Sequence, residues 1–91
     1  MNKLRLNCDL GEASEAISAE RNQRIMPYID EANIACGFHA GDPITALSTL
    51  KTAVEYGVSV GAHPSYPDRD NFGRVSVSRT ESELYADTLY Q

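Results

Sequence analysis

Apolar and polar positions alternate at the start of the chain, with Leu4, Leu6 and Cys8 set against Arg5 and Asn7. A period of two predicts a first strand, which ends at Asp9-Leu10-Gly11-Glu12. From Ala13 to Ala19 the residues are small and polar and read as a loop. Ser18 is placed to cap a short helix running from about Ala19 to Met26. Ile25 and Ile29 would share a helix face, but Pro27 restricts the residue before it and sets a boundary near Met26. Ile34, Ala35 and Cys36 form an uncharged run that predicts a second, buried strand. Gly37 then frees the backbone, and His39 follows with Gly41 close behind. Asp42-Pro43 reads as a helix start, with aspartate as N-cap and proline at the first helical position.

The second helix has the clearest pattern and is expected from Pro43 to about Tyr56. Ile44, Leu47, Leu50 and Val54 recur at helical spacing with Ala46 and Ala53 beside them, and this stripe is assigned to the core. Gly57 follows at the position where a left-handed residue commonly ends a helix. Val58-Ser59-Val60-Gly61-Ala62 predicts a third strand with His63 at its end. A long loop from Pro64 to Arg74 comes next, and Thr80-Glu81-Ser82-Glu83 fits a capping box that opens a third helix. The inner face of that helix would begin with Leu84, Thr88 and Leu89. Each strand-to-strand step spans roughly 25–30 residues, the size of a βα unit. Parallel strands joined by helices bring their carboxyl ends to one edge of the sheet, where ligands bind in α/β folds. Three such units leave open edges, whereas parallel sheets are normally covered on both faces. Residues 1–91 therefore read as a single incomplete domain, the first part of a larger α/β domain cut inside a helix.

Composition narrows the partners. The formal net charge is -5 with no basic cluster, which makes nucleic acid and anionic membrane poor candidates. No apolar run is long enough to span a bilayer. The start, Met1-Asn2-Lys3-Leu4-Arg5, moves straight into the alternating segment without a signal-peptide core, so a soluble cytoplasmic protein is expected. Cys8 and Cys36 form no C-x-x-C pair and read as buried reduced thiols rather than a zinc ribbon or redox motif.

The chemistry gathers at the strand ends. Asp9, His39 and His63 each follow a predicted strand, so the topology brings them together. Two imidazoles and a carboxylate are donors suited to a divalent metal, making Asp9, His39 and His63 candidate ligands. The same three could instead supply a base and an oxyanion clamp without metal. Asp9 and Glu12 flank Gly11 and are either functional or a solvated turn. The loop after His63 suggests a lid or binding loop. Within it Tyr66 and Phe72 would wall a pocket, and Arg74 would either clamp a carboxylate or phosphate or pair with Asp68 or Asp70. No G-x-x-x-x-G-K-[ST] phosphate loop is present. The helix start at Asp42 is a weak anion site, because Asp42 already occupies the cap.

Three long segments occur in order: Leu6-Asn7-Cys8-Asp9-Leu10-Gly11-Glu12, Ala32 through Pro43, and Gly61-Ala62-His63-Pro64-Ser65-Tyr66-Pro67-Asp68. Together with Phe72-Gly73-Arg74 they resemble the LamB/YcsF family, the A subunits of prokaryotic 5-oxoprolinase. The chain departs from the family pattern at Ala13-Ser14-Glu15, where a Phe-Gly pair is expected, and at Val75, where a second Arg is frequent. Both departures bear on the shape of the substrate pocket.

The resemblance implies the N-terminal three βα units of a seven-stranded β/α barrel, related to the glycoside hydrolase/deacetylase group. It implies ATP-dependent opening of 5-oxo-L-proline to L-glutamate, with ATP as co-substrate and with B and C subunits as partners. On the matching residues it suggests Asp9 or His63 as general base for water, and His39 as oxyanion stabiliser or metal ligand. Glu12, Asn7 and Asn33 would orient these groups, and Arg74 would hold the substrate carboxylate or a phosphate. Two other readings remain open at this point. One is a metal-dependent amide or carbohydrate deacetylase on the same fold, and the other is a truncated, non-catalytic form that binds partner subunits.

Overall fold

Three parallel strands, β1 (Asn7–Leu10), β2 (Glu31–Ala35) and β3 (Ser59–His63), hydrogen-bond in the order β1-β2-β3. A computed structural model describes residues 3–91. Met1 and Asn2, which open the segment read above as lacking a signal peptide, lie outside the described residues. Helix α1 (Glu15–Ile25) and a short 3₁₀ turn at Met26–Tyr28 connect β1 to β2, and α2 (Pro43–Glu55) connects β2 to β3. Helix α3 (Glu81–Tyr90) follows the long loop after β3. No helix among the described residues is long and apolar enough to cross a membrane.

The register gives the sheet two different faces. Cys8 lies beside Ala32 and Ala32 beside Val60, while Leu10, Ile34 and Ala62 are matched in the same way. Because side chains alternate along a strand, these residues form one apolar face. The alternate positions, Asn7, Asp9, Glu31, Asn33 and His63, form a polar face on the other side. Helices α1 and α2 cover the apolar face: Leu10, Met26, Ala32, Ile34, Ala53 and Val58 make the core, with Cys8, Ile25, Ile29 and Ala46 packed against it.

Several boundaries fall where the local chemistry sets them. Asp42 caps α2, accepting from the Thr45 backbone N–H at 2.8 Å and from the Thr45 hydroxyl at 2.8 Å. Those two bonds, with smaller help from the Ile44 N–H and the charge of Arg69, hold the Asp42 carboxyl below the ordinary range. The capping box of α3 is complete: Glu83 N–H donates to Thr80 Oγ1 at 3.2 Å, and Thr80 N–H donates to Glu83 Oε1 at 3.0 Å. The first helix ends at Ile25, next to the boundary expected from Pro27.

Three expectations are corrected. Helix α1 begins at Glu15, not near Ala19, with Ser14 at the N-cap position. Ser18 lies inside it, buried, with its hydroxyl donating to the Ala13 carbonyl at 3.3 Å. The buried residues Ser18, Asn22 and Met26 follow each other at helical spacing, but two of the three are polar, so apolar periodicity does not reveal them.

The stripe on α2 is not core. Ile44, Leu47, Leu50 and Val54 are 66%, 54%, 38% and 72% exposed, and the buried face is Thr45, Thr49 and Ala53. Smaller side chains let α2 sit close to the sheet and to α1, where Asn22 Nδ2 donates to Thr49 Oγ1 at 3.1 Å in a buried bond. Nor does α3 have a buried inner face, since none of its residues is buried.

Exposed apolar stripes drive association. Residues 1–91 on their own are expected to self-associate through the α2 stripe and the open strand edges. Sedimentation should show oligomers, and Leu47→Glu with Val54→Glu should lower the mean mass while helical circular dichroism is kept. A monodisperse monomer for the unsubstituted chain would contradict this picture.

Candidate active site

Two turns at the carboxyl edge of the sheet are pressed together. After β1 the chain turns at Gly11 and presents Glu12; after β2 the turn from Gly37 to Gly41 carries His39. Gly41 has φ of +81°, and a Cβ there would lie 2.5 Å from the Gly11 carbonyl oxygen, so only glycine permits this approach. The contact brings the Glu12 carboxylate onto the His39 ring, with Nε2 and Oε2 2.7 Å apart. His39 is only 3% exposed. With an ionised carboxylate as acceptor, Nε2 carries the hydrogen, and the buried Nδ1 is left without a partner among the described residues.

His63 arrives from the end of β3. Its Nδ1 lies 3.7 Å from Glu12 Oε2 and 3.8 Å from Asp9 Oδ1, within charge-pairing range but too long for hydrogen bonds. The two imidazole rings are 4.5 Å apart between centroids. Asp9, His39 and His63 therefore converge, as the topology requires. The carboxylate central to both imidazoles, however, is Glu12: one ligand atom from each of Glu12, His39 and His63 falls within 4.8 Å of the others. Asp9 instead accepts from Asn33 Nδ2 at 3.1 Å, and the same amide donates to Asn7 Oδ1 at 3.1 Å. Asn7 and Asn33 thus reach the site through Asp9.

The loop after β3 closes over His39. Phe72 meets the imidazole edge-on, with centroids 4.7 Å apart and planes at 85°. Gly73 permits this closeness, because a Cβ there would be 2.9 Å from His39 Cβ and 2.7 Å from Ser65 Cβ. The Arg74 guanidinium carbon lies 5.5 Å from the Phe72 ring centroid, and the side chain forms no ion pair with Asp68 or Asp70. Asp68 is engaged by Asn71, whose backbone and side-chain N–H groups reach Oδ1 at 3.3 and 3.1 Å. A cavity of about 450 Å³ results, with Asp9, His39 and His63 at one side and Tyr66, Phe72 and Arg74 around it. Its size suits a small-molecule ligand. Asn7, Glu12 and Asn33 are not among the residues that line it.

The structure adds residues to which the sequence pattern gave no function. Leu84, Asp87, Thr88 and Gln91 complete the cavity wall. The Gln91 side chain pairs with the Ser65 backbone, accepting from its N–H at 3.0 Å and donating to its carbonyl at 3.2 Å. Arg69 donates to the carbonyls of Gly37 and Gly41. It stands between two aspartates in Asp68-Arg69-Asp70 and carries no signal in the sequence beyond that of a solvated charge.

Known proteins resemble this chain over nearly all of its length. Residues 4–91 match the LamB/YcsF family. The chain is 48% identical over 89 residues to a 5-oxoprolinase A subunit of Pseudomonas aeruginosa, covering 98% of this chain and 36% of that protein. It is 51% identical over 86 residues to the 5-oxoprolinase A subunit of Acinetobacter baumannii, covering 94% and 34%. Among solved structures, the lactam utilization protein of Thermus thermophilus superposes with a TM-score of 0.85 at 43% identity, covering 99% of this chain and 36% of that one. The chain thus spans 34–36% of the length of these relatives.

Cys8 reports on the charge of the site. Burial pushes its thiol pKa up, and the negative charges of Asp9 and Glu12 push it further. Alkylation of Cys8 by iodoacetamide near neutral pH should therefore be slower than that of a free thiol. Asp9→Asn and Glu12→Gln should each accelerate it, as followed by mass spectrometry of the Cys8 peptide. Unchanged rates in both variants would mean that these carboxylates do not act on Cys8.

Proposed function

Because the chain belongs to the LamB/YcsF family, we propose that it is part of a 5-oxoprolinase A subunit, which opens 5-oxo-L-proline to L-glutamate at the cost of ATP beside B and C subunits. The observation that carries this reading is the cluster of Asp9, Glu12, His39 and His63 beside a small cavity that Arg74 also lines. A ring amide is a poor electrophile. Once ATP has phosphorylated its oxygen, water adds to the ring carbon and gives up a proton. The C–N bond then breaks, the nitrogen takes a proton to become the α-amine, and a second water hydrolyses the acyl phosphate left behind.

The residues divide this work. His63 and Asp9 are accessible from the cavity, so either serves as the base that takes the proton of water. His39 is held by Glu12 through Nε2, and with a second hydrogen on Nδ1 it would steady the oxyanion that forms when the added water gives up its proton. Arg74 holds the substrate carboxylate through its planar fork of donors. Asn33 fixes Asp9, and Asn7 fixes Asn33.

A second reading draws on the same cluster. Two imidazole nitrogens and a carboxylate oxygen within 4.8 Å, with His39 Nδ1 and His63 Nδ1 buried and without hydrogen-bond partners among the described residues, are a donor set that fits a divalent metal. Glu12, His39 and His63 would hold it, with Asp9 close by. When bound, such an ion would lower the pKa of water and polarise a carbonyl, the chemistry of a metal-dependent deacetylase.

The test uses the protein at the length of its relatives, together with its partner subunits. Glutamate release from 5-oxoproline should require ATP, and His63→Ala should lower kcat by about 10²–10⁴. Wild-type kcat in that variant would leave His63 a structural role. ATP-independent amide hydrolysis that chelation abolishes would favour the metal reading instead.

A further inference from the structure

Two carbonyls at the ends of the His39 turn are bound by one side chain. Arg69 Nη1 donates to Gly37 O at 2.8 Å and to Gly41 O at 2.8 Å. Both glycines have positive φ, +93° and +81°. Glycine moves easily between backbone wells, so the glycines at the two ends do not by themselves fix the turn. Inside it, Gly37 N–H donates to the Ala40 carbonyl at 3.0 Å. The imidazole itself is fixed by Glu12 at 2.7 Å and by the edge of Phe72. These contacts hold the ring, whereas the Arg69 bonds tie both ends of the backbone that carries it to the loop after β3.

Arg69 and Phe72 come from the same tight turn. Gly73 N–H donates to the Asp68 carbonyl at 2.6 Å, and Phe72 N–H donates to the Arg69 carbonyl at 3.3 Å. One short segment therefore grips His39 twice, through its backbone with Arg69 and through its ring with Phe72. The two arginines of this loop have different employment. Arg74 lines the cavity, whereas Arg69 does not and is committed to backbone carbonyls.

We propose that Arg69 is a positioning residue, which sets the location of the His39 imidazole in the active site by bridging Gly37 O and Gly41 O, and which does not itself touch substrate. The proposal rests on the functional reading above for its kinetic consequence, but its structural core can be read without activity.

The experiment uses the protein at the length of its relatives with its partner subunits, carrying Arg69→Met or Arg69→Lys. Arg69→Met keeps the aliphatic stem and removes the donors. It should lower kcat about 10–100-fold, the usual loss when a group supporting a site residue is removed, with KM changed less than about twofold. In protein labelled with ¹⁵N-histidine, the His39 imidazole resonances should shift or broaden. Lysine offers donors on a similar stem, so Arg69→Lys should recover most of the rate and the His39 signals.

A KM increase with kcat unchanged would make Arg69 a substrate-binding residue and overturn the proposal. Unchanged kcat together with unchanged His39 resonances would overturn it as well. If Arg69→Met does not fold, Arg69→Ala, which likewise removes every donor, is measured in the same ways, and the same results support or overturn the proposal. Should the unsubstituted protein lack oxoprolinase activity, the His39 resonances in the variants still decide the role of Arg69.

Discussion

The hydrogen bond between Glu12 and His39 joins the two turns on which the site is built. An imidazole that is 3% exposed needs a partner for its N–H, and a carboxylate at 2.7 Å is the strongest kind available to it. That bond exists only because Gly41 lets the second turn touch the first at Gly11. His63 then packs against the same pair, and the loop from Pro64 to Arg74 closes on the ring through Phe72. If Glu12 and His39 were apart, His63 and Phe72 would face different neighbours.

The sheet beneath is unusual for a parallel one in having a polar face. Parallel strands are normally apolar on both sides, because both are covered. Here Asn7, Asp9, Asn33 and His63 share one side, and the Asn33 amide satisfies both Asn7 and Asp9. The arrangement gives up apolar burial along β2 in return for fixed carboxylate geometry near the histidines. Local preference and function conflict most often at sites of this kind.

Much of this was legible in the residues. Once βα connections make the sheet parallel, the ends of the three strands must come together, and they do, although Asp9 lies inside β1 and His63 is the last residue of β3 rather than following it. The Asp42 cap and the Thr80-Glu83 box are local chemistry and lie where the sequence put them. What escaped depends on tertiary context. Periodicity identifies α2 but not which stripe is inward, and close packing on α1 favoured Thr45, Thr49 and Ala53 over the larger residues. In α1 the inward positions Ser18 and Asn22 are polar, so the helix start looked like a loop. The priority of Glu12 over Asp9 beside the imidazoles follows from a turn-to-turn contact that spacing alone does not encode. Arg69 acts on backbone carbonyls, which leave no trace in the sequence.

The central claim, that Glu12 and His39 are energetically one unit, is tested most directly by a double-mutant cycle. Glu12→Gln, His39→Gln and the double variant would be made in the protein at the length of its relatives, and unfolding would be followed in urea. The account predicts a coupling energy of about 1.5–3 kcal/mol, the range for a hydrogen bond to a charged group. Additivity within about 0.5 kcal/mol would contradict it, because independent sites behave in that way.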